Sequence, residues 1–518
     1  MNSRFHRSVT SAARMVRLFA ILTAAGCQLI RPAGGVPEPD TWPTEGWQTA
    51  PPETQGFDSA KLADGLRAIQ EDGTRVHSLM LIRDGYVLLH ANFYPYDGST
   101  AHDLASVTKS VMTTLIGIAA DQGLLSLDDP MVSFFPNRTI ANLDERKQSI
   151  TVRHLATMTS GLECDPMTDT GDLQAMRASD DWVHFSLDRP MVSAPGTKFA
   201  YCGPSIHLLS PILQEATGMT ALEFAQENLF GPLGITEAFW ETDPQGYSRG
   251  WGDLLLFPED AAKLGLLMLH GGQWDGRQIV SQGWVSEATK KYIGTNRGQD
   301  YGYGWWVSPS DEEIPYFSAD GKGGQFVTVY PGLNVIVATT GGGFDDMADV
   351  SDYLGAAIGD LEHPLPANPT GEAQLEAARA EISQAPMPGE VPPLPAMARE
   401  VSGKTYTFGP NPLNLVSGRF EFDDSSEATL HLEISGEPGA RTIPVGLDGI
   451  LHIGPVREGV LGGARGEWTE DDTFIVDYDE IGRIDAWTLR FVFRGDDLSL
   501  QLYGRSSPGL FSLNGTAE

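Results

Sequence analysis

Two strand-hairpin patterns stand at opposite ends of a long helical stretch, and this order constrains the fold most strongly. The first hairpin pattern joins residues 78–82 to 86–89 through a turn that contains Asp-Gly, and the second joins 326–330 to 335–338. Short β-branched runs that flank a glycine-containing turn are typical of antiparallel hairpins. Residues 121–306 between them are mostly helical in pattern. We therefore expect one antiparallel sheet built from both ends of a domain, with helices inserted between the ends.

Changes of composition divide the rest of the chain. Residues 363–398 are rich in proline and contain a short helical pattern, which predicts a linker. Residues 399–518 alternate polar and apolar residues between glycine turns, which predicts a small antiparallel β domain. The Pro/Gly-rich segment 28–50 is expected to be a tether. The main domain is then 51–362, with mixed helices and strands of the α/β (α+β) class.

Residues 1–27 have the form of an export signal. Arginines precede an apolar run over 18–25, and small residues then lead to Cys27. This order of charge, apolar core and small residues is typical of a secretory signal. Residues 25–27 also resemble a bacterial lipoprotein cleavage site, in which the cysteine is lipidated. We expect a periplasmic protein or a lipoprotein tethered to the membrane through Cys27, with plain secretion as the alternative.

The acidic composition limits the partners of the protein. The chain has 69 Asp and Glu residues against 35 Lys and Arg residues, which gives a formal net charge of -34. This excess argues against nucleic acid or an anionic membrane surface as a partner. The histidines lack metal-ligand spacing, so no metal and no cofactor are expected. The sequence does not indicate an oligomeric state.

Two cysteines remain after the signal segment, Cys164 and Cys202. In an oxidising compartment such a pair is expected to form a disulfide, and two buried thiols are the alternative. A bridge would hold the segment that carries Tyr201.

Ser106 and Lys109 form the only Ser-x-x-Lys pattern in the chain, and they open a stretch with helical apolar spacing. Side chains three residues apart share one face of a helix. A serine hydroxyl needs an adjacent base to act as a nucleophile, and a partly desolvated lysine can supply one. The start of a helix also favours negative charge on oxygen. Ser106 is the candidate nucleophile and Lys109 its candidate base, with a solvated helix face as the alternative.

A second serine pattern is less suited to catalysis. Ser248 lies in a Gly-x-Ser-x-Gly sequence, which in α/β-hydrolases requires a preceding apolar strand and a following helix. Polar and proline-containing residues precede Ser248, and neither flank has the required pattern. We therefore expect Ser248 to be a loop residue.

Tyr201 is the candidate proton relay, because it lies where a glycine-containing loop meets the next predicted helix. Acyl transfer through serine needs a group that carries a proton to the leaving group. A packed aromatic side chain whose hydroxyl binds a backbone carbonyl is the alternative.

The glycine-rich segment Lys322-Gly323-Gly324-Gln325 leads directly into the second hairpin pattern. Glycines before a strand let a substrate approach the backbone closely. The backbone amide of Gln325 is expected to pair with that of Ser106 as an oxyanion hole. Lys322 would hold a substrate carboxylate or the relayed proton. An ordinary glycine turn is the alternative.

These three motifs, in this order, resemble the serine β-lactamase and penicillin-binding superfamily. The chain is most similar to the class C β-lactamase-related hydrolases, the esterase and 6-aminohexanoate-dimer hydrolase group. Residues 150–162, 231–235 and 301–306 also look like that group. The resemblance covers roughly residues 52–360. It implies a β-lactamase/transpeptidase-like antiparallel sheet with flanking helices and a helical subdomain, with the active site between them.

The resemblance also implies roles for the candidate residues. Ser106 is the acylated nucleophile, and Lys109 is either its base or the cation that keeps Tyr201 acidic. Tyr201 moves the proton. The expected function is an exported serine hydrolase that cleaves small ester or amide bonds. The alternatives are a D-Ala-D-Ala peptidase, a weak β-lactamase, or a catalytically silent relative that binds the cell envelope.

Two departures from the penicillin-active pattern narrow the substrate. Gly203 replaces the usual asparagine of Tyr-x-Asn, and Gly323 replaces the usual threonine of Lys-Thr-Gly. Each change removes a polar contact worth on the order of 1–3 kcal/mol when it is desolvated, which argues against efficient β-lactam turnover.

Asp181, upstream of the tyrosine, is expected either to bind a substrate amine in the cleft or to cap a helix.

Overall fold

The structure is a computed structural model that describes residues 36, 38–165, 170–344, 346–423, 425–437, 439–457, 459–505 and 509–518. The expected signal segment and Cys27 lie outside the described residues. Within the described ranges, the helices are too short or too polar to cross a membrane.

The first domain has strands near both of its ends and helices between them, as expected. In chain order the strands are β1 (Gln48–Thr49), β2 (Val76–Arg83), β3 (Tyr86–Asn92), β4 (His102–Asp103), β5 (Phe239–Trp240), β6 (Leu254–Leu256), β7 (Gln273–Trp274), β8 (Arg277–Gln278), β9 (Ile293–Gly294), β10 (Asp300–Tyr301), β11 (Trp306–Val307), β12 (Phe317–Gly321), β13 (Gln325–Tyr330) and β14 (Val335–Gly341). The helices are α1 (Ser59–Glu71), α2 (Val107–Asp121), α3 (Glu145–Gln148), α4 (Val152–Ala156), α5 (Thr170–Arg177), α6 (Trp182–Asp188), α7 (Gly203–His207), α8 (Leu209–Thr217), α9 (Ala221–Ala225), α10 (Pro258–Leu269), α11 (Gln282–Ala288), α12 (Ala348–Ala356) and α13 (Pro369–Ser383).

A nine-stranded sheet joins the two ends of this domain. Its strand order is β1-β3-β2-β14-β13-β12-β11-β10-β9. The N-terminal strand β2 pairs antiparallel with β14, with Leu81 opposite Val337. This pairing confirms the prediction that both hairpins belong to one sheet. The fold class predicted from the sequence, a sheet with flanking helices and a helical subdomain, is also confirmed.

Both faces of the sheet are buried, which explains the continuous apolar runs in its central strands. Met80 and Ile82 of β2 face the core that contains α2, α10 and the inserted helices, whereas Leu79 and Leu81 face the core beneath α1, α12 and α13. Side chains alternate between faces along a strand, so a run that is buried on both sides must be apolar at every position.

Both predicted linker segments contain regular structure, including the helical pattern expected within 363–398. Within 363–398, helix α13 packs on α1 through Leu375, Ala378 and Ile382, which are buried. Pro369 starts this helix at a position where the missing N–H is not needed. Within 28–50, strand β1 pairs with β3, and the indole of Trp47 donates to the carbonyl of Glu259 at 3.0 Å. The proline-rich segments of this chain therefore contain a helix and a strand in addition to irregular structure.

The C-terminal domain is antiparallel, as predicted, and it closes into a barrel. A short helix, α14 (Ala396–Val401), precedes it. Its ten-stranded order is β18-β17-β16-β15-β24-β23-β22-β21-β20-β19, with an additional parallel pairing of β18 with β20. Because β18 stands at one end of this order and β20 near the other, their pairing closes the sheet on itself. The strands are β15 (Thr405–Phe408), β16 (Leu415–Phe422), β17 (Glu427–Ile434), β18 (Arg441–Gly446), β19 (His452–Arg457), β20 (Val460–Glu470), β21 (Thr473–Glu480), β22 (Ala486–Arg494), β23 (Asp497–Gly504) and β24 (Leu510–Ala517).

Aromatic side chains fill the barrel. Phe420 packs edge to face with Phe491 at 4.8 Å between ring centroids and with Phe474 at 5.3 Å. Edge-to-face pairs of this kind contribute about 0.5–1.5 kcal/mol beyond the area that they bury. The barrel interior is thus a packed core.

Candidate active site

Ser106 and Lys109 meet at the start of α2, as the sequence predicts. The side-chain nitrogen Nζ of Lys109 lies 2.6 Å from Ser106 Oγ and 2.7 Å from the carbonyl oxygen of Trp251. Lys109 is only 1% exposed, whereas Ser106 is half-buried. Ser106 occupies the cap position of α2, but its hydroxyl does not cap the helix. The hydroxyl therefore stays available to interact with Lys109.

A strained turn presents Ser106 at this position. Ala105 has φ of 45°, in the left-handed region that residues other than glycine rarely adopt. The carboxylate of Asp103 accepts the N–H of Ala105 at 2.8 Å, and the N–H of Leu104 donates to Leu254 at 2.9 Å. Burial raises the pKa of Asp103 to about 7, with the nearby Asp253 adding to the effect. Residues before the nucleophile thus hold a conformation that the local sequence does not favour.

A buried hydrogen-bonded pair of side chains supports the carbonyl that contacts Lys109. His207 and Asp243 are both buried, with Nε2 and Oδ2 3.1 Å apart. The N–H of Gly250 donates to His207 Nδ1 at 3.3 Å. This contact fixes the backbone one residue before Trp251. Sequence analysis did not identify His207 or Asp243, because they lie far apart in the chain and belong to no local motif.

Tyr201 lies beside the serine–lysine pair. The Nζ of Lys109 is 4.8 Å from the centroid of the Tyr201 ring, and the guanidinium of Arg297 is 4.9 Å from the same centroid. The ring also stacks on Trp306 at 5.7 Å. The structure therefore brings the predicted tyrosine to the pair and packs it in an aromatic cluster. Arg297 was not identified from the sequence, since it precedes β10 without any recognisable pattern.

The expected disulfide forms between Cys164 and Cys202. Cys202 directly follows Tyr201, and the N–H of Ala200, just before it, donates to the carbonyl of Met158 at 2.9 Å. The bridge and this hydrogen bond hold the tyrosine segment from both sides.

The end of β12, just before the turn into β13, contacts the residues that precede Ser106. A methyl group placed on Gly321 would lie 2.5 Å from the carbonyl oxygen of Leu104 and 3.1 Å from Cβ of Ala105. Only a glycine permits this close approach. Gly323 and Gly324 have φ of 86° and 99°, values that side chains disfavour. Gly323 and Gly324 thus form the turn, and Gly321 before them allows the contact with the Ser106 segment.

Gln325 begins β13 and locks this turn through its side chain. Its amide nitrogen donates to the carbonyls of Lys322 at 3.2 Å and Gly341 at 2.8 Å, and its oxygen accepts the N–H of Gly341 at 3.1 Å. The side chain is therefore used internally, and its backbone amide is the group that remains the oxyanion candidate. The Lys322 side chain is exposed at the rim.

Of the two roles expected for Asp181, the structure shows the helix cap. Its Oδ1 accepts the N–H of His184 at 2.8 Å and caps α6, and its Oδ2 lies 2.7 Å from Arg138. Both oxygens have partners within the protein.

The expected loop position of Ser248 is confirmed, since this residue lies outside the helices and the long strands and forms only an isolated bridge with Thr242.

Comparisons with known proteins agree with this arrangement. The beta-lactamase family matches residues 61–356. The monacolin J acid methylbutanoyltransferase of Aspergillus terreus (strain NIH 2624 / FGSC A1156) is 32% identical over 162 residues, which cover 28% of this chain and 38% of that protein. The 6-aminohexanoate-dimer hydrolase of Paenarthrobacter ureafaciens is 26% identical over 243 residues, which cover 44% of this chain and 60% of that protein. The matched regions span less than two thirds of either relative.

Among solved structures, the octameric penicillin-binding protein homologue from Pyrococcus abyssi aligns with 87% of this chain and 98% of its own chain. The TM-score is 0.46 and the sequence identity is 19%. The family match covers more than half of the chain and includes Ser106, Lys109, Tyr201 and Gln325. The chain therefore belongs to the beta-lactamase family, a family of serine hydrolases.

Proposed function

We propose that the protein is an exported serine hydrolase that cleaves small ester or amide bonds through an acyl-enzyme on Ser106. The observation that carries this proposal is the 2.6 Å contact between Ser106 Oγ and the buried Lys109 Nζ. A half-buried hydroxyl that contacts an amine shielded from water fits the requirement of an activated nucleophile.

The proposed reaction has two halves. In the first, the proton of Ser106 moves to Lys109, or to a Tyr201 phenolate that Lys109 stabilises as a cation, while Oγ attacks the carbonyl carbon. The backbone amides of Ser106 and Gln325 stabilise the oxyanion. The bond to the leaving group breaks, and Tyr201 delivers the proton to the leaving oxygen or nitrogen. In the second half, Tyr201 takes a proton from the attacking water, the bond between the acyl carbon and Ser106 Oγ breaks, and the acid departs. The proton then returns to Ser106 Oγ.

Esters are the favoured substrate class within this proposal. Gly203 and Gly323 stand where penicillin-active relatives have polar side chains, so the contacts that hold a peptide-like side chain and a lactam carboxylate are missing. The methylbutanoyltransferase relative is named for the transfer of a short branched acyl group. A small acyl group is consistent with a site whose nucleophile is half-buried.

We further propose that the protein acts outside the cytoplasm. The basic and apolar N-terminal segment that ends at Cys27 supports export. The Cys164–Cys202 disulfide is consistent with an oxidising compartment. Mass spectrometry of the protein from membrane and soluble fractions would distinguish a lipidated Cys27 from a cleaved, unlipidated chain.

Covalent labelling tests the nucleophile directly. A fluorophosphonate probe is expected to modify Ser106, and Ser106→Ala is expected to lower kcat/KM for 4-nitrophenyl butyrate by on the order of 10⁴-fold or more. We expect turnover of the ester to exceed turnover of the β-lactam nitrocefin. The matched control is Ser248→Ala, which removes the buried serine of the Gly-x-Ser-x-Gly sequence and should keep ester turnover. Folded protein that is not labelled at Ser106 would refute the proposal and favour the silent envelope-binding alternative.

A further inference from the structure

A turn of the C-terminal barrel reaches the active site of the first domain. The turn joins β21 to β22 and contains Gly482, Arg483 and Ile484. The carbonyl of Gly482 accepts the N–H of Asp103 at 2.8 Å, three residues before the nucleophile. The guanidinium of Arg483 lies 3.4 Å from a carboxylate oxygen of Glu241. Backbone and side-chain contacts thus attach the barrel to the segment that presents Ser106.

The next residue of this turn contacts the glycine-rich motif. A methyl group placed on Gly323 would lie 2.4 Å from Cγ2 of Ile484, so Ile484 occupies the space that a side chain at position 323 would need. Ile484 is half-buried, so part of its surface is exposed beside Gly323. An apolar side chain from the second domain therefore lies directly beside the position at which the family pattern has threonine.

We propose that Ile484 is a specificity-determining residue that forms an apolar wall beside Gly323 and selects esters with an uncharged leaving group. The inference rests on the proposed function. In the penicillin-active pattern the threonine helps to bind a carboxylate on the leaving-group side. A carboxylate that lies against the methyl groups of Ile484 loses hydration without gaining a partner, which is unfavourable. An uncharged aromatic or alkyl group gains apolar contact at the same place.

Lys322 could set the opposite charge preference, because its exposed ammonium group lies one residue from Gly323 and would attract an anionic leaving group. If Lys322 controls this part of the cleft, anionic leaving groups are preferred. If Ile484 controls it, neutral ones are preferred. The two possibilities predict opposite orders of reactivity for a pair of substrates that differ in one carboxylate.

The test compares 4-nitrophenyl butyrate with 3-carboxy-4-nitrophenyl butyrate in the full-length protein. We expect kcat/KM to favour the neutral ester by at least about tenfold, the size of effect that small apolar contacts in a pocket produce. Ile484→Thr keeps the branched shape and introduces a hydroxyl, and it should reduce this preference by about tenfold. Ile484→Ala should lower kcat/KM for the neutral ester and raise it for the anionic ester, because it removes both the apolar contact and the desolvation of the carboxylate.

The matched control is Ile453→Thr, an exposed position on β19 of the same barrel, which should leave the preference at the wild-type value. Thermal unfolding checks that each variant is folded. A wild-type preference for the anionic ester, or an unchanged preference in a folded Ile484→Thr variant, would overturn the inference while leaving ester hydrolysis intact. A complete lack of turnover and of Ser106 labelling would instead refute the proposed function.

Discussion

At the scale of single residues, Asp103 links the stability of the fold to pH. It is a buried carboxyl group with a pKa of about 7, raised chiefly by burial and also by Asp253. A raised carboxyl pKa means that the folded state holds the proton more tightly than the unfolded state. The resulting stabilisation is fully present below the unfolded pKa of 3.8 and is lost as pH rises to about 7.

Asp103→Asn should remove this dependence, because an amide does not ionise and its oxygen can still accept the N–H of Ala105. Relative to this variant, the free energy of unfolding of the wild type should fall by about 2–4 kcal/mol between pH 4 and pH 7.5. Urea unfolding at the two pH values measures the difference. Asp311→Asn, at an exposed position, is the control. Parallel pH profiles for wild type and Asp103→Asn would contradict the prediction.

At the scale of elements, α13 is part of the first domain despite its proline-rich surroundings. Ile382 is fully buried and packs in the core beneath the sheet, whereas Gln374 is exposed on the same helix. Ile382→Ala should lower the free energy of unfolding by about 2–5 kcal/mol, because it opens a cavity in a packed core. Gln374→Ala should change it by less than about 0.5 kcal/mol. Thermal or urea unfolding checks both values, and equal effects would show that packing of α13 does not stabilise the first domain.

At the scale of the whole molecule, ion pairs and buried backbone contacts join the two domains. Asp479 of the barrel lies 3.2 Å from Arg75 of the first domain and 2.5 Å from Arg505 of its own domain. The phenol of Tyr94 also donates to the carbonyl of Leu451 at 2.8 Å. These contacts hold the barrel in the position that brings its β21–β22 turn to the site.

Removing Asp479 should uncouple the domains. We expect one calorimetric transition for the wild type and two for Asp479→Ala, because the change leaves Arg75 without its carboxylate and weakens the interface by about 1–3 kcal/mol. Asp471→Ala, in an exposed turn of the barrel, should keep the single transition. A single transition at the wild-type temperature in Asp479→Ala would show that the ion pair does not couple the domains.

Local patterns predicted much of the fold and part of the site. Hairpins, the helix that begins after Ser106 and the strands of the second domain were recognisable because strand and helix periodicity act over short stretches of chain. Ser106 and Lys109 were recognisable for the same reason, since three residues along a helix determine their proximity. The roles assigned to them remain predictions. The helical pattern within 363–398 was recognisable, whereas its packing on α1 and the pairing of β1 with β3 were not, because contacts with distant elements decide them.

The sequence by itself determined which local elements form and which family the chain resembles, because periodicity and short motifs are properties of neighbouring residues. Only the tertiary structure decided which distant groups meet. It placed the His207–Asp243 pair behind the carbonyl that contacts Lys109, and it brought Ile484 to Gly323 across a domain boundary. The physical reason is that such contacts depend on how whole elements pack, and no spacing along the chain encodes them.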